Sequence, residues 1–392
     1  ALGSAQLTVG ASNADGTVGI GYNAMESLTS GTGNVAVGFE AGKALTTQSY
    51  NTFIGHEAGE SVAGASNTAL GYRALADASA DVDYCVAIGH NALTTADADY
   101  DSGSVAIGHQ SLQNQSATAL AGNTAIGHQS GAAITTGVEN IAIGYQALLA
   151  SATGSYNTVV GYKSGTAIID GTRNTAVGGY ALNTDDYGAG NTAIGYVALY
   201  SQDTSGTSQV YSGNTALGAE SGYYNVTGVN NTYLGHRAGK GVSGKSHSGC
   251  VYIGKDAGLT AYTGAYNIAI GYQAMDGLPT DDDTVGGSAE NIFIGKDAGG
   301  GSWVTAASHY NIGIGNYVLD AAMHGASSNT AVGNASLSSV TTGHSNAALG
   351  ASSGNGINSG AGNTTIGASA GANITSTNYN TAVGYQSMYS AA

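Results

Sequence analysis

Apolar and polar positions recur along the whole chain in one short cycle. A five-residue unit closing on Gly, typically Asn-Thr-Ala-Ile-Gly, has its Gly at 21, 38, 55, 71, 89, 108, 127, 144, 161, 178, 195, 218, 235, 254, 271, 295, 315, 333, 350, 367 and 384. Eleven of the 20 spacings are 17 residues and the rest run from 16 to 24. The residue before the Gly is Ile, Val or Leu in all 21 units; two places earlier stands Thr, Val or Ile in 20 of them, Ala347 being the exception. Successive side chains of a strand point to opposite faces, so the alternation predicts a short strand per unit. It sets the β-branched pair on one face, where a narrow core is expected. The opposite face carries the Asn, a small residue such as Ala36 or Ala87, and the Gly. That face is expected to accept another backbone layer or a second chain.

Three residues after the Gly comes Ala or Ser in 20 units, and the next residue is Leu or Met in 11 and Gly in 10. A bulky plug and a turn glycine thus alternate at one corner. Thr, Ser and Gly link the units with turn chemistry, as in Thr153-Gly154-Ser155-Tyr156. Helical periodicity is absent. The pattern predicts an all-β, parallel β-solenoid or β-roll of about 21–22 coils, mostly of 17 residues with two short strands each, counting Gly10 as the end of a degenerate first unit. At ~4.8 Å per coil this is a rod about 100 Å long. It fills 1–392 as a single repeat domain, expected to be a processed or partial piece of a longer chain. A coil this small encloses little apolar volume, so a homo-oligomer is expected, a three-fold bundle being the simplest closed rod.

Asn opens 17 of the 21 units, among them Asn51, Asn123, Asn140, Asn157, Asn191, Asn267 and Asn380; the exceptions are Thr17, Cys85, Ser104 and Cys250. One Asn per coil at a fixed place predicts a ladder of side-chain amides. The two cysteines, about nine coils apart, stand in for Asn and are too distant to bridge one another.

Composition narrows the function. With 64 Gly but one Pro and no Gly-X-Y period, the chain is not collagen. A net charge of −16 argues against nucleic acid, and nine Lys and Arg are too few for an anionic membrane surface; no segment has the pattern of a membrane span. Carboxylates are scattered or clustered in loops, without a Gly-x-Ser-x-Gly elbow or a phosphate loop, so no enzyme is predicted.

Ser104-Val105-Ala106-Ile107-Gly108-His109-Gln110-Ser111 resembles the head repeats of trimeric autotransporter adhesins. The longer form at Asn140–Leu148 and Asn191–Leu199 resembles repeats of bacteriophage tail-fibre and related surface-fibre proteins. The resemblance covers essentially the whole chain, although the 17-residue period is longer than that of the adhesin heads. It implies a trimer of left-handed β-rolls and an extracellular fibre shaft, on a virion tail fibre or similar appendage, supporting host or surface adhesion. A bacterial cell-surface adhesin or filament subunit is the alternative. A glycan-degrading tailspike fits less well, for want of a recognisable carboxylate pair. So does an ice-binding solenoid, because Thr shares its column with Val and Ile, as a buried stripe would.

Candidate sites are few. The residue after the Gly is Tyr in seven units and His in five, with His90, His109 and His128 in consecutive coils. These suit a stacked ring column, or a metal shared around a three-fold axis. Asp97, Asp99 and Asp101 have a spacing that hard cations favour, giving a Ca2+ candidate, whereas the same residues also suit a solvated acidic loop with no cofactor. Long coils emerge from a solenoid as side loops. The two largest run between Gly195 and Gly218 and between Gly271 and Gly295; the first contains Tyr200 and Tyr211, and the next enlarged coil after the second contains the sole Trp, Trp303. These three are the candidates for contact with a cell-surface glycan.

Overall fold

The computed structural model describes residues 7–8, 14–78, 82–96, 103–116, 122–203, 208–277, 287–303 and 306–389. Two compact units divide it: Ala1–Asn191 with Thr204–Val210, and Thr192–Asp203 with Tyr211–Ala392. Each is a parallel β-solenoid, as the repeat predicts, and no helix occurs among the described residues. The first unit has ten coil strands, from Val18–Ile20 to Thr175–Val177; the second has eleven, from Thr192–Ile194 to Thr381–Val383. Strands of successive coils pair in register, slot on slot. Even the 24-residue coil keeps Ile268 opposite Ile292, so an insertion loops out without shifting the ladder. Leu7–Thr8 pairs antiparallel with Gly19–Ile20, so the earliest degenerate unit adds no parallel coil there.

Each regular coil carries one strand of three residues rather than two strands. The remainder of the coil cannot extend, because it turns through left-handed residues at fixed places. One is the residue before the Asn (Tyr50, Tyr156); another is the second after the Gly (Glu40, Gln146); a third is the fourth after it (Leu148, Gly59). The Gly that closes the pentamer is obligatory for two reasons. Gly38 has φ +144°, and a Cβ there would lie 2.1 Å from the carbonyl oxygen of Gly55 in the next coil.

The faces of the strand are the reverse of the expectation. The middle residue is buried in every coil, as with Ala36, Ala69 and Ala142, and where Asn opens the unit it is buried too, apart from the half-buried Asn380 of the last coil. The β-branched pair points outward, with Ile54 39% exposed, Leu70 44% and Leu349 53%. Asn and the middle residue lie two apart and must share a face. Turned inward, each Asn can satisfy backbone groups of the neighbouring coils with both ends of its amide, away from competing water. The small-residue face is therefore core, and the aliphatic stripe is surface.

That core has a complementary volume rule. Where the middle residue is large, the corner is Gly: Phe53 lies 3.0 and 2.6 Å from where Cβ atoms on Gly42 and Gly59 would sit. Tyr233 bears likewise on Gly222 and Gly239, Tyr252 on Gly239 and Gly258, and Phe293 on Gly299. In most coils with Ala in the middle, as at Ala142 and Ala193, the corner is a buried Leu148 or Leu199, although Ala36, Ala125, Ala216 and Ala348 keep a Gly corner. These leucines are left-handed, at φ +53° and +48°. The strain costs about 1–2 kcal/mol, and burying the side chain contributes about 1.5–3 kcal/mol. Burial wins. A further exchange places an aliphatic three residues after a Gly corner, as with Leu45, Ile134 and Ile168, all fully buried.

Candidate functional site

The Asn ladder is the innermost layer. Asn140 donates its backbone N–H to Asn123 Oδ1 at 2.8 Å, and its own Oδ1 accepts from the Asn157 backbone at 2.9 Å. Its Nδ2 donates to Gly154 O at 2.8 Å. Asn51 joins Asn34 and Asn67 in the same way, and Asn191 donates its N–H to Asn174 Oδ1. In the second unit Asn267 accepts from the Asn291 backbone, and Asn380 donates to Asn363 Oδ1. Cys85 keeps the backbone bond to Asn67 Oδ1. Both cysteines are buried. Ser104 cannot reach along the stack, and Gln115 bridges the gap. Its Nε2 donates to Ser104 Oγ at 2.9 Å while its Oε1 accepts from Asn123 Nδ2 at 3.1 Å. Gln202 receives the amide of Asn214 in the second unit. Sequence reading missed both glutamines. The available signal was a polar residue three places after a Leu corner, where Gly corners are followed by aliphatics.

Outside lies the stripe of Thr, Val or Ile followed two places on by Ile, Val or Leu. None of the chain's 25 Asp and Glu occupies either column. The ring slot borders it, two residues past the aliphatic. In the first unit nine rings run without a break: Tyr22, Phe39, His56, Tyr72, His90, His109, His128, Tyr145 and Tyr162, with neighbouring centroids 4.8–5.5 Å apart. Beside them Gln129 Nε2 donates to Gln110 Oε1 and Gln146 Nε2 to Gln129 Oε1, a second, partly exposed amide ladder. Burial, then the neighbouring His128 and His90, hold the His109 imidazole below its ordinary pKa.

Charges gather in the slots beyond the rings. Arg73 joins Glu57 at 3.2 Å and Asp77 at 2.8 Å; in the second unit Lys240 meets Glu220 at 2.6 Å and Arg237 meets Asp256 at 2.7 Å. Asp276 and Asp320 are different. Burial, then the charge of Asp297, pushes each carboxyl up to about 6. Deep in the same unit, Tyr233 Oη shares a 2.7 Å hydrogen bond with His247 Nε2, and burial pushes that imidazole down to about 4.

The predicted ligand residues are dispersed. Asp97, Asp99 and Asp101 lie outside the described residues, and among the described ones no group of three His, Cys, Asp or Glu is placed to hold a metal ion. Trp303 was expected at the surface and is instead 3% exposed. It packs edge-on against Phe293 with centroids 5.7 Å apart, and its Nε1 donates to Gly299 O at 3.0 Å. Buried this way, its face is closed to a sugar. The reason is the volume rule, since Gly corners around Phe293 leave space that a large ring fills. Tyr200 stacks on Tyr223 at 5.1 Å, with Tyr224 edge-on to Tyr223 and Lys240 5.8 Å from that ring. Tyr211 stands 69% exposed. Among the described residues no helix is long and apolar enough to cross a membrane. Comparison of the chain with protein-family models, with curated proteins and with solved structures finds no match.

Proposed function

We propose that the chain is the shaft of an extracellular fibre, such as a phage tail fibre or a similar surface appendage, in which copies associate side by side through the outward aliphatic stripe. The observation that carries this reading is the stripe itself. It is uncharged, closes on an aliphatic residue in every coil of each unit and is empty of carboxylates on a chain of net charge −16. Copies meeting here bury aliphatic surface at about 25 cal/mol per Å² without bringing carboxylates together. A three-fold bundle closes such a stripe around one axis. The role is mechanical rather than catalytic, and recognition of a cell-surface glycan would fall to side loops such as those bearing Tyr200 and Tyr211.

Sedimentation velocity of the full chain at neutral pH tests the reading, with a three-chain species expected. Ile54→Asp with Leu70→Asp and Ile88→Asp should return single chains with unchanged far-ultraviolet circular dichroism. Wild-type chains that sediment singly at micromolar concentration would overturn it.

One observation favours a second reading. The outward stripe sets threonines in register on exposed strands, Thr158 opposite Thr175 and Thr364 opposite Thr381. Such a rigid surface suits ordered water, so ice binding is the competing function; thermal hysteresis in the purified chain would favour it.

A further inference from the structure

The ring column holds an ionisable run that the fibre reading does not use. His90, His109 and His128 stack in three successive coils of the first unit with centroids 5.1 and 4.9 Å apart, bracketed by Tyr72 at 4.9 Å and Tyr145 at 5.1 Å. We propose that this imidazole run is a pH-sensitive element of the assembly face: neutral, it completes the stack bordering the stripe; protonated, it opens the stack and weakens association of copies. The proposal rests on the reading of the stripe as the interface between copies.

The surroundings make the run sensitive. On the histidines' own coils the next residues are Asn91, Gln110 and Gln129, with Gln146 following, all neutral. On the strand side lie Ile88, Ile107 and Ile126. The charges that act on His109 are those of His90 and His128. At the Tyr72 end, Arg73 is engaged with Glu57 and Asp77. At the other end Lys163 lies 5.7 Å from the Tyr162 ring. His56, by contrast, has Glu57 Oε1 3.4 Å from its Nδ1, so its charge would have a partner. Protonation of the three-ring run sets like charges about 5 Å apart, where Coulomb repulsion is appreciable even near water. No carboxylate among these facing groups offsets it. Closing a second copy over the column would strip solvent from the same charges and raise the penalty.

The test compares the full chain with H90Y/H109Y/H128Y, Tyr being what the chain already places in this slot at Tyr72 and Tyr145. Sedimentation and thermal melting are followed from pH 7.5 to 5.0, with NMR titration of the histidine ring protons. The expected result is association at least tenfold weaker at pH 5.0 than at 7.5 for the wild type, with a lowered melting transition. The variant should be much less affected, and the His109 ring protons should report a pKa below the ordinary imidazole value. Identical pH profiles for both proteins, or a His109 pKa at or above the ordinary imidazole value, would overturn the proposal. If the wild type sediments as a single chain at pH 7.5, the interface reading fails and association cannot be pH-controlled there. The melting and NMR arms then decide whether the stack itself opens with acid.

Discussion

The two units build the same coil and spend their aromatic residues differently. The first carries nine of them outside in one continuous column, while most of its buried middle slots hold Ala. The second interrupts the ring slot, where Ala219, Lys255, Lys296, Asn316, Asn334, Ala351 and Ala368 separate Tyr196, His236, Tyr272 and Tyr385, and it buries Tyr233, Tyr252, Phe293 and Trp303. Gly, Asn and the outward stripe persist in both. The column is thus dispensable to the solenoid, and the backbone clearance at Gly together with the buried amides is not. Inside, a ring is admitted only where the corners shrink to Gly.

Breaking the shared element should have the largest effect and should not distinguish the units. Gly38→Ala in the first and Gly333→Ala in the second each add a Cβ within 2.1 and 2.4 Å of the next coil's carbonyl oxygen. Each should cost about 2–6 kcal/mol, overpacking combined with left-handed strain, in denaturant melts. A marked difference between the two would show that the coils are not equivalent.

The volume rule is sharpened by exchange. Phe53→Ala should cost about 3–5 kcal/mol by leaving a cavity. Adding Gly59→Leu recreates the Ala142–Leu148 arrangement and should recover part of that loss. A double variant no more stable than the single one would refute the complementarity.

Asn140→Ala should cost about 2–3 kcal/mol, because the Asn157 N–H and the Gly154 carbonyl lose a buried partner. The equivalent Asn329→Ala in the second unit should behave alike, since Asn346 donates to it as Asn157 does to Asn140.

The smallest effect separates the units by pH. The Asp320 carboxyl is raised to about 6 from an ordinary 3.8, so the folded chain holds its proton more tightly than the unfolded one. Its stabilising contribution is present below pH 3.8 and lost as pH rises through about 6. Asp320→Asn should therefore raise the melting temperature at pH 7.5 and leave it nearly unchanged near pH 3.5. His247 acts in the opposite sense, its folded pKa being lowered from 6.5 to about 4. Its contribution is lost as pH falls through that window, so the difference between variant and wild type at each pH is the quantity to read.

Much of the fold was legible because a solenoid is nearly one-dimensional. Period, coil strand, invariant Gly and the Asn slot all follow from spacing, and the ring column follows from Tyr and His sharing one place. The left-handed corners were half legible. Gly59 announces one, whereas Leu148 at φ +53° does not, because a buried side chain there outweighs a backbone preference. Trp303 was misplaced for a related reason, since exposure was inferred from its loop while the space beside Phe293 belongs to neighbouring coils.

By itself the sequence determined the repeating unit, its parallel stacking in register and which residues share a face, since each depends only on local alternation and a near-constant period. Which face is the inside was left to the tertiary structure. Parity assigns residues to two sides equally well, and β-branched residues look like core in isolation. Only the closed coil, whose inner backbone groups need the Asn amides as partners, turns the Asn and middle residue inward and the aliphatic stripe out.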